Sequence, residues 1–162
     1  NIFLIRGHHE DININKDFGL GEECAKRLKE DINNEDSVFK NINIAFEYLP
    51  LAILIDNNIL CVHGGLGMSI NSLADIENIP RPIQVQHEVE SITQQKVIDL
   101  LYSEYCEEID QTEVNIERDM FDTGFVLKYG RMKLNSFLIS LTNLSTTLSN
   151  SSWTTTCTKS RP

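Results

Sequence analysis

The chain has 162 residues, enough for one domain that buries roughly 70% of the surface its unfolded chain exposes. Its net charge of −10 argues against nucleic acid as a partner, because nucleic-acid-binding proteins need a basic surface to displace phosphate counterions. No secretory signal or run of about 18 apolar residues is found, and the four cysteines are widely spaced, so we expect a cytoplasmic or nuclear protein that binds no membrane.

The first predicted element is a short buried strand over residues 2–6. A continuous apolar run that stops at a glycine, here Gly7, is typical of an interior strand. His8, His9 and Glu10 follow directly. Two imidazoles and a carboxylate at the end of a strand are a pattern typical of metal chemistry, because a strand end holds its ligands rigidly.

Two helices and a hairpin are predicted next. Strong helix formers with mixed charges predict an exposed helix from about 22 to 31. Apolar residues at steps of three and four predict another from about 35 to 49. The apolar runs 51–55 and 59–63 flank Asp-Asn-Asn at 56–58, residues that tolerate left-handed turns, so we predict a β-hairpin.

The second hairpin strand ends at His63, which is followed by Gly64 and Gly65. Glycines at such a place let the backbone and a phosphate group approach closely. A single histidine in a sequence is more often structural than functional. Because His63 repeats the arrangement seen at His8, the two motifs together favour a functional role over a structural one.

Beyond the hairpin we predict a short helix within 69–79, capped by Ser69 or Asn71, a helix over 93–103 and a strand over 125–129. His87 lies between polar residues, and we expect it to be exposed to solvent.

After residue 138 the composition changes. Ser and Thr make up 13 of the 24 residues from 139 to 162, with no clear apolar period. Such a segment buries too little to offset the entropy of ordering it. We therefore predict a domain over 1–138 and a disordered low-complexity tail over 139–162.

Three segments resemble motifs of the metal-dependent serine/threonine phosphoprotein phosphatases, which are calcineurin-like metallophosphoesterases. Residues 4–10, Leu-Ile-Arg-Gly-His-His-Glu, resemble the family's Leu-Leu-Arg-Gly-Asn-His-Glu. Residues 46–52 and 59–66 resemble its Phe-x-x-Leu-Pro-Leu-Ala and His-Gly-Gly-Leu segments, in the same order. Residues 67–71 and 76–83 resemble the Kelch-repeat-bearing subclass more than the common catalytic subunits.

The resemblance covers residues 2–138 and implies an α/β fold, part of a β-sandwich flanked by helices. It implies hydrolysis of phosphoserine and phosphothreonine by water activated between two divalent metal ions, either manganese or iron and zinc. The implied partners are phosphoprotein substrates, with a regulatory protein or a Kelch domain in the full-length gene product.

The same resemblance implies roles for individual residues. His9 corresponds to the general acid that protonates the leaving alkoxide. His63 corresponds to a metal ligand, and His8 stands where the family has a ligand Asn. The residues implied to be structural or close to phosphate are Arg6, Gly7, Glu10, Gly64 and Gly65.

The chain also departs from the family pattern. Thr123 stands where the family has a phosphate-clamping Arg, and Arg118 is the nearest substitute. The family's Asp-x-His, Gly-Asp-x-x-Asp-Arg and Arg-Ala-His motifs are not found among these residues, and we expect the first two upstream of Asn1. The chain is therefore interpreted as a phosphatase fragment, inactive alone. The alternatives are a catalytically inactive pseudophosphatase remnant that binds partners through its acidic surface and, less favoured, a small zinc-binding domain.

Overall fold

The structure is a computed structural model that describes residues 2–145 and 154–155. The helices are α1 (Ile12–Asn15), α2 (Leu20–Glu23) with a π-helical continuation (Cys24–Leu28), α3 (Val38–Glu47), α4 (Leu73–Glu77), α5 (Ile92–Tyr102) and α6 (Arg131–Ser145). The strands are β1 (Ala52–Ile55), β2 (Ile59–Val62), β3 (Glu104–Tyr105), β4 (Thr112–Val114), β5 (Leu127–Tyr129) and β6 (Thr154–Thr155). In this part of the chain, the helices lack the combination of length and apolarity that a bilayer span requires.

The predicted hairpin is confirmed as β1 and β2, which pair antiparallel with Ile55 opposite Ile59. Asp56 and Asn57 adopt positive φ values of 49° and 52° at its turn. The amide of Asn58 closes the turn by donating to the carbonyl of Ile55 at 2.9 Å. This geometry matches the right-handed twist of the strands and places His63 just beyond the end of β2.

A second sheet has the order β3-β5-β4, with β5 in the middle. Strand β5 pairs parallel to β3 and antiparallel to β4. The predicted strand over 125–129 is thus confirmed in its second half. Together with the helices, the two sheets confirm the predicted mixed α/β fold.

Helix α5 lies at the centre of the core. Ser91 caps its first turn in a capping box with Gln94, and Leu100 and Leu101 are fully buried. The same buried cluster includes residues from both sheets and from α6. The predicted helices over 35–49 and 93–103 are confirmed as α3 and α5, and the helix over 22–31 as α2 with its π-helical continuation.

The predicted strand over residues 2–6 is wrong. Neither sheet includes these residues, and Ile2 and Phe3 are 91% and 72% exposed. A single backbone hydrogen bond, from Arg6 N to the carbonyl of Pro50 at 2.8 Å, ties the segment to the chain near β1. An apolar sequence forms a strand only beside another strand that accepts its hydrogen bonds.

Residues 139–145 of the predicted tail are helical, since α6 continues to Ser145. Phe137 and Leu141 stand four residues apart on one helix face and are both buried. Their burial stabilises a helix that the Ser and Thr content alone did not indicate. Residues 146–153 and 156–162 of the predicted tail lie outside the described residues.

Helix α4 begins later than predicted. Its N-cap is Ser72, not Ser69 or Asn71. The carboxylate of Asp75, at the third helical position, accepts from the Ser72 amide at 2.9 Å and from the Asn71 amide at 3.0 Å. A capping box with its acidic residue three positions on fixes the helix start at Ser72.

Candidate functional site

The two histidine motifs meet in space. His8 Nδ1 lies 2.7 Å from His63 Nε2, although 55 residues separate them in sequence. The two nitrogens share a hydrogen bond in which one donates and the other accepts. His9 is exposed beside this pair, with its ring 4.5 Å from the ring of His8. The structure thus brings all three predicted site histidines together.

The loop that carries His8 and His9 is closed by Arg6 and Glu10. The buried guanidinium of Arg6 donates to the carbonyl of Glu10 at 2.8 and 2.9 Å and to the carbonyl of Ile83 at 2.6 Å. The carboxylate of Glu10 accepts from the amide of Gly7 at 2.8 Å. Since the Arg6 guanidinium donates to backbone carbonyls, its placement is that of a structural residue.

The glycines at the site are required by close packing. The amide of Gly64 donates to the carbonyl of Leu100 at 2.8 Å, and a Cβ on Gly64 would lie 2.7 Å from the Leu101 carbonyl carbon. A Cβ on Gly65 would overlap the ring of Tyr129. A side chain at either glycine would therefore push the His63 loop away from α5 and β5.

The histidine pair is held in the neutral form. Burial, together with repulsion from His63, His9 and Arg118, lowers the pKa of His8 to about 4. Burial and Arg118 also lower the pKa of His63. A neutral imidazole offers a lone pair to a metal ion, so the electrostatics of the pair suit ligation in which the ion replaces the hydrogen bond between the two rings.

Positive charge reaches the site from Arg118 and not from position 123. Arg118 is half-buried, and its Nη1 donates to the carbonyls of Tyr102 and Ser103 at 3.4 and 3.3 Å. Thr123 instead donates its hydroxyl to Asp119 at 3.0 Å. Of these two residues, Arg118 is thus the one whose charge lowers the pKa of His8 and of His63.

The prediction that His87 is solvated is wrong. Its side chain is only 10% exposed, and its Nε2 lies 2.6 Å from Oδ2 of Asp11. Tyr102 donates its hydroxyl to the same oxygen at 2.5 Å. The sequence analysis did not identify Asp11 and Tyr102 as neighbours of the site, because 91 residues separate them in sequence. The available signal for Asp11 was its position directly after the motif that contains His8 and His9.

The histidine pair fits part of a metal site. Imidazole nitrogens are common ligands of iron and zinc. Among the residues that the structure describes, no group of three or more His, Cys, Asp or Glu side chains is arranged to hold a metal ion. In that part of the chain, the histidine pair by itself does not build a site for two ions.

Comparison with known proteins finds similar chains. Residues 1–137 match the family model of the calcineurin-like phosphoesterases. The chain is 45% identical over 107 residues to the serine/threonine-protein phosphatase BSL2 of Arabidopsis thaliana, a match that covers 66% of this chain and 10% of that protein.

A solved structure of a serine/threonine phosphatase from Saccharomyces cerevisiae, described as similar to human phosphatase PP5, superimposes with a TM-score of 0.68 at 29% identity. That match covers 88% of this chain and 39% of the yeast chain. The chain thus spans well under half the length of these relatives. Because the family model matches most of its length, the chain belongs to the calcineurin-like phosphoesterase family.

Proposed function

We propose that the chain is part of a protein serine/threonine phosphatase that hydrolyses phosphoserine and phosphothreonine. The observation that carries the proposal is the meeting of His8 Nδ1 and His63 Nε2 at 2.7 Å, in neutral form, at the ends of two motifs. The 45% identity to a serine/threonine-protein phosphatase supports it. Since the match covers 10% of that relative, the activity is proposed for the complete protein.

In the complete protein, His8 and His63 would hold one divalent ion. The family resemblance implies manganese, with iron or zinc as alternatives; imidazole nitrogen suits iron and zinc, whereas manganese prefers oxygen ligands. A bound pair of such ions supplies Lewis-acid polarisation of the phosphoryl group and activation of a water molecule. The contribution of this chain is to hold both imidazoles neutral and at a fixed separation.

His9 is proposed as the general acid. It is exposed beside His8, so its ring is accessible to a substrate that approaches the histidine pair. There it would donate a proton to the departing Ser or Thr oxygen. Arg118 is proposed to offset phosphate charge in place of the missing arginine at position 123, because its positive charge already acts on both histidines.

The substrates follow from this chemistry. The proposed partners are phosphoproteins, with a regulatory protein or a Kelch domain in the full-length gene product and a cytoplasmic or nuclear location. The Kelch assignment rests on the resemblance of residues 67–71 and 76–83 to the Kelch-bearing subclass.

The proposal is tested with the full-length gene product and a phosphoserine peptide. Released phosphate and bound metal are both measured. We expect manganese-dependent release, and we expect His63→Ala to lose bound metal and activity together. Glu107→Ala, at an exposed position, is the control and should change neither. Full activity in His63→Ala would contradict the assignment.

A further inference from the structure

A buried carboxylate beside the site joins three distant parts of the chain. Asp11 is 1% exposed, and its Oδ2 lies 2.5 Å from the hydroxyl of Tyr102 and 2.6 Å from Nε2 of His87. Its Oδ1 accepts from the amide of Asn13 at 2.9 Å. These partners come from α1, whose first turn Asp11 caps, from the end of α5 and from the loop before α5.

Asp11 remains charged in this setting. Burial by itself would raise the pKa of Asp11, but hydrogen bonds from His87, Tyr102 and Asn13 outweigh burial and lower it. A buried carboxylate with both oxygens bonded to donors has a strongly preferred geometry, because moving any donor leaves charge without compensation. The Asp11 carboxylate therefore restricts the positions of the side chains and the amide that donate to it.

Tyr102 connects this carboxylate to the histidine pair. Its hydroxyl oxygen lies 3.2 Å from the backbone carbonyl of His8, and its ring lies edge-on to the His8 ring at 5.8 Å. The hydroxyl donates a hydrogen bond to Asp11, and this bond holds the Tyr102 oxygen beside the His8 carbonyl. The Tyr102 hydroxyl thus contacts the backbone from which the His8 side chain projects.

The His87 side chain packs against both Phe121 and Tyr102. Its ring contacts Phe121 at 4.0 Å and meets the ring of Tyr102 edge-on at 5.3 Å. The imidazole therefore both donates to Asp11 and packs against the phenol ring that reaches His8. Nothing in the resemblance to the phosphatases assigned a role to this histidine.

We propose that Tyr102, held by Asp11 and His87, is a positioning residue that fixes the backbone at His8 and so directs His8 Nδ1 toward His63 Nε2. The effect of Tyr102 on catalysis rests on the proposed function, in which His8 serves as a metal ligand. The positioning itself concerns only the hydrogen bond between the two imidazoles.

The test is nuclear magnetic resonance on the 162-residue chain with ¹⁵N-labelled histidine. The hydrogen bond between His8 and His63 gives a scalar coupling between the two ring nitrogens. We expect the coupling in the parent and its loss in Tyr102→Phe. Tyr105→Phe removes the same atom from a tyrosine whose ring packs against Tyr129, and it should keep the coupling. A coupling that survives in Tyr102→Phe, or is absent from the parent, overturns the proposal.

Two variants of His87 decide the matter if Tyr102→Phe does not fold. His87→Gln keeps an N–H donor within reach of Asp11, whereas His87→Leu keeps bulk without a donor. We expect the coupling to persist in the Gln variant and to disappear in the Leu variant. The same result in both variants, whether persistence or loss, overturns a role carried by the hydrogen bond.

These measurements require neither metal nor catalysis, so the two proposals fail separately. A phosphatase assay of the full-length protein that shows no activity, beside a coupling that depends on Tyr102, contradicts the proposed function alone. An active full-length enzyme with a coupling that is indifferent to Tyr102 contradicts the positioning role alone.

Discussion

Lys96 Nζ lies 2.7 Å from Asp75 Oδ1, and this ion pair joins α5 to the first turn of α4. The other carboxylate oxygen of Asp75 accepts from the backbone amides of Asn71 and Ser72 and from the Ser72 hydroxyl. One side chain thus caps a short helix and attaches it to the central helix of the core.

Stability at low pH should depend on Asp75. The hydrogen bond from Lys96 is the largest cause that lowers the pKa of Asp75, to about 2. A carboxyl whose folded pKa lies below its unfolded pKa stabilises the fold above about pH 4 and loses this contribution as pH falls through about 2. We expect Asp75→Asn to lower the free energy of unfolding by about 1–2 kcal/mol near pH 7 and to approach the parent near pH 2.

Urea denaturation at several pH values measures this difference. Lys96→Met is the matched variant, since it removes the partner and leaves the capping box. It should show a smaller loss that also shrinks as Asp75 becomes protonated. A difference between the parent and Asp75→Asn that stays constant from pH 7 to pH 2 would rule out the ion pair as its cause.

The Gly65 position should be intolerant of a side chain for a packing reason. A Cβ there overlaps the ring of Tyr129, which is itself buried. We expect Gly65→Ala to lower the free energy of unfolding by about 1–3 kcal/mol, the usual cost of overpacking. Gly124→Ala is the comparison, because Gly124 has open space around its Cβ and a φ of 74°, so only backbone strain of about 1 kcal/mol applies.

A double variant isolates the contact at Gly65. Tyr129→Leu removes the overlapping ring, so the penalty of Gly65→Ala should be smaller in that background than in the parent. Chemical denaturation of the four proteins gives the coupling energy between the two sites. Strictly additive losses would show that the Gly65 position is constrained by something other than Tyr129.

Local chemistry accounts for the elements that the sequence predicted correctly. The hairpin follows from Asp56 and Asn57, which accept positive φ, and α5 follows from its apolar spacing and the Ser91 cap. The meeting of His8 and His63 was predicted because both motifs resemble those of one known family. Each of these predictions depends on residues that lie close together in sequence or within a familiar motif.

The wrong predictions concern partners that are distant in sequence. His87 lies in a polar stretch, and its burial depends on Asp11, 76 residues away. The apolar segment at residues 2–6 has the composition of a strand but pairs with neither sheet. In α6, burial of Leu141 in a core built from other elements extends a helix whose composition favours disorder. Tertiary contacts determine all three outcomes, and the periodicity of apolar residues in the sequence carries no information about such contacts.

The chain by itself should not hydrolyse phosphomonoesters. In the described part of the chain, His8 and His63 are not joined by a third ligating side chain, whereas metal-assisted hydrolysis needs a firmly held pair of ions. We expect no release of nitrophenol from para-nitrophenyl phosphate with added manganese. Steady hydrolysis that His9→Ala abolishes would show that this chain builds a working site.

In the full-length protein, the neighbouring imidazoles His8 and His9 should have separable roles. His9 is exposed and stands beside the histidine pair, so His9→Ala should keep bound metal and lower kcat by about 10²- to 10⁴-fold, the usual contribution of a general acid. His8 faces His63, so His8→Asn replaces a ring nitrogen by an amide oxygen, the ligand type of the resembling family. Because manganese prefers oxygen, this change should raise kcat with manganese.

Both variants are compared with the parent under the same conditions, with kcat and bound metal measured for each. His63→Ala serves as the reference for loss of a ligand and should lose metal together with activity. A leaving-group pKa series adds an independent readout, since removal of a general acid penalises poor leaving groups more than good ones. If His9→Ala loses metal while His8→Asn changes nothing, the ligand is His9, and the two roles are exchanged.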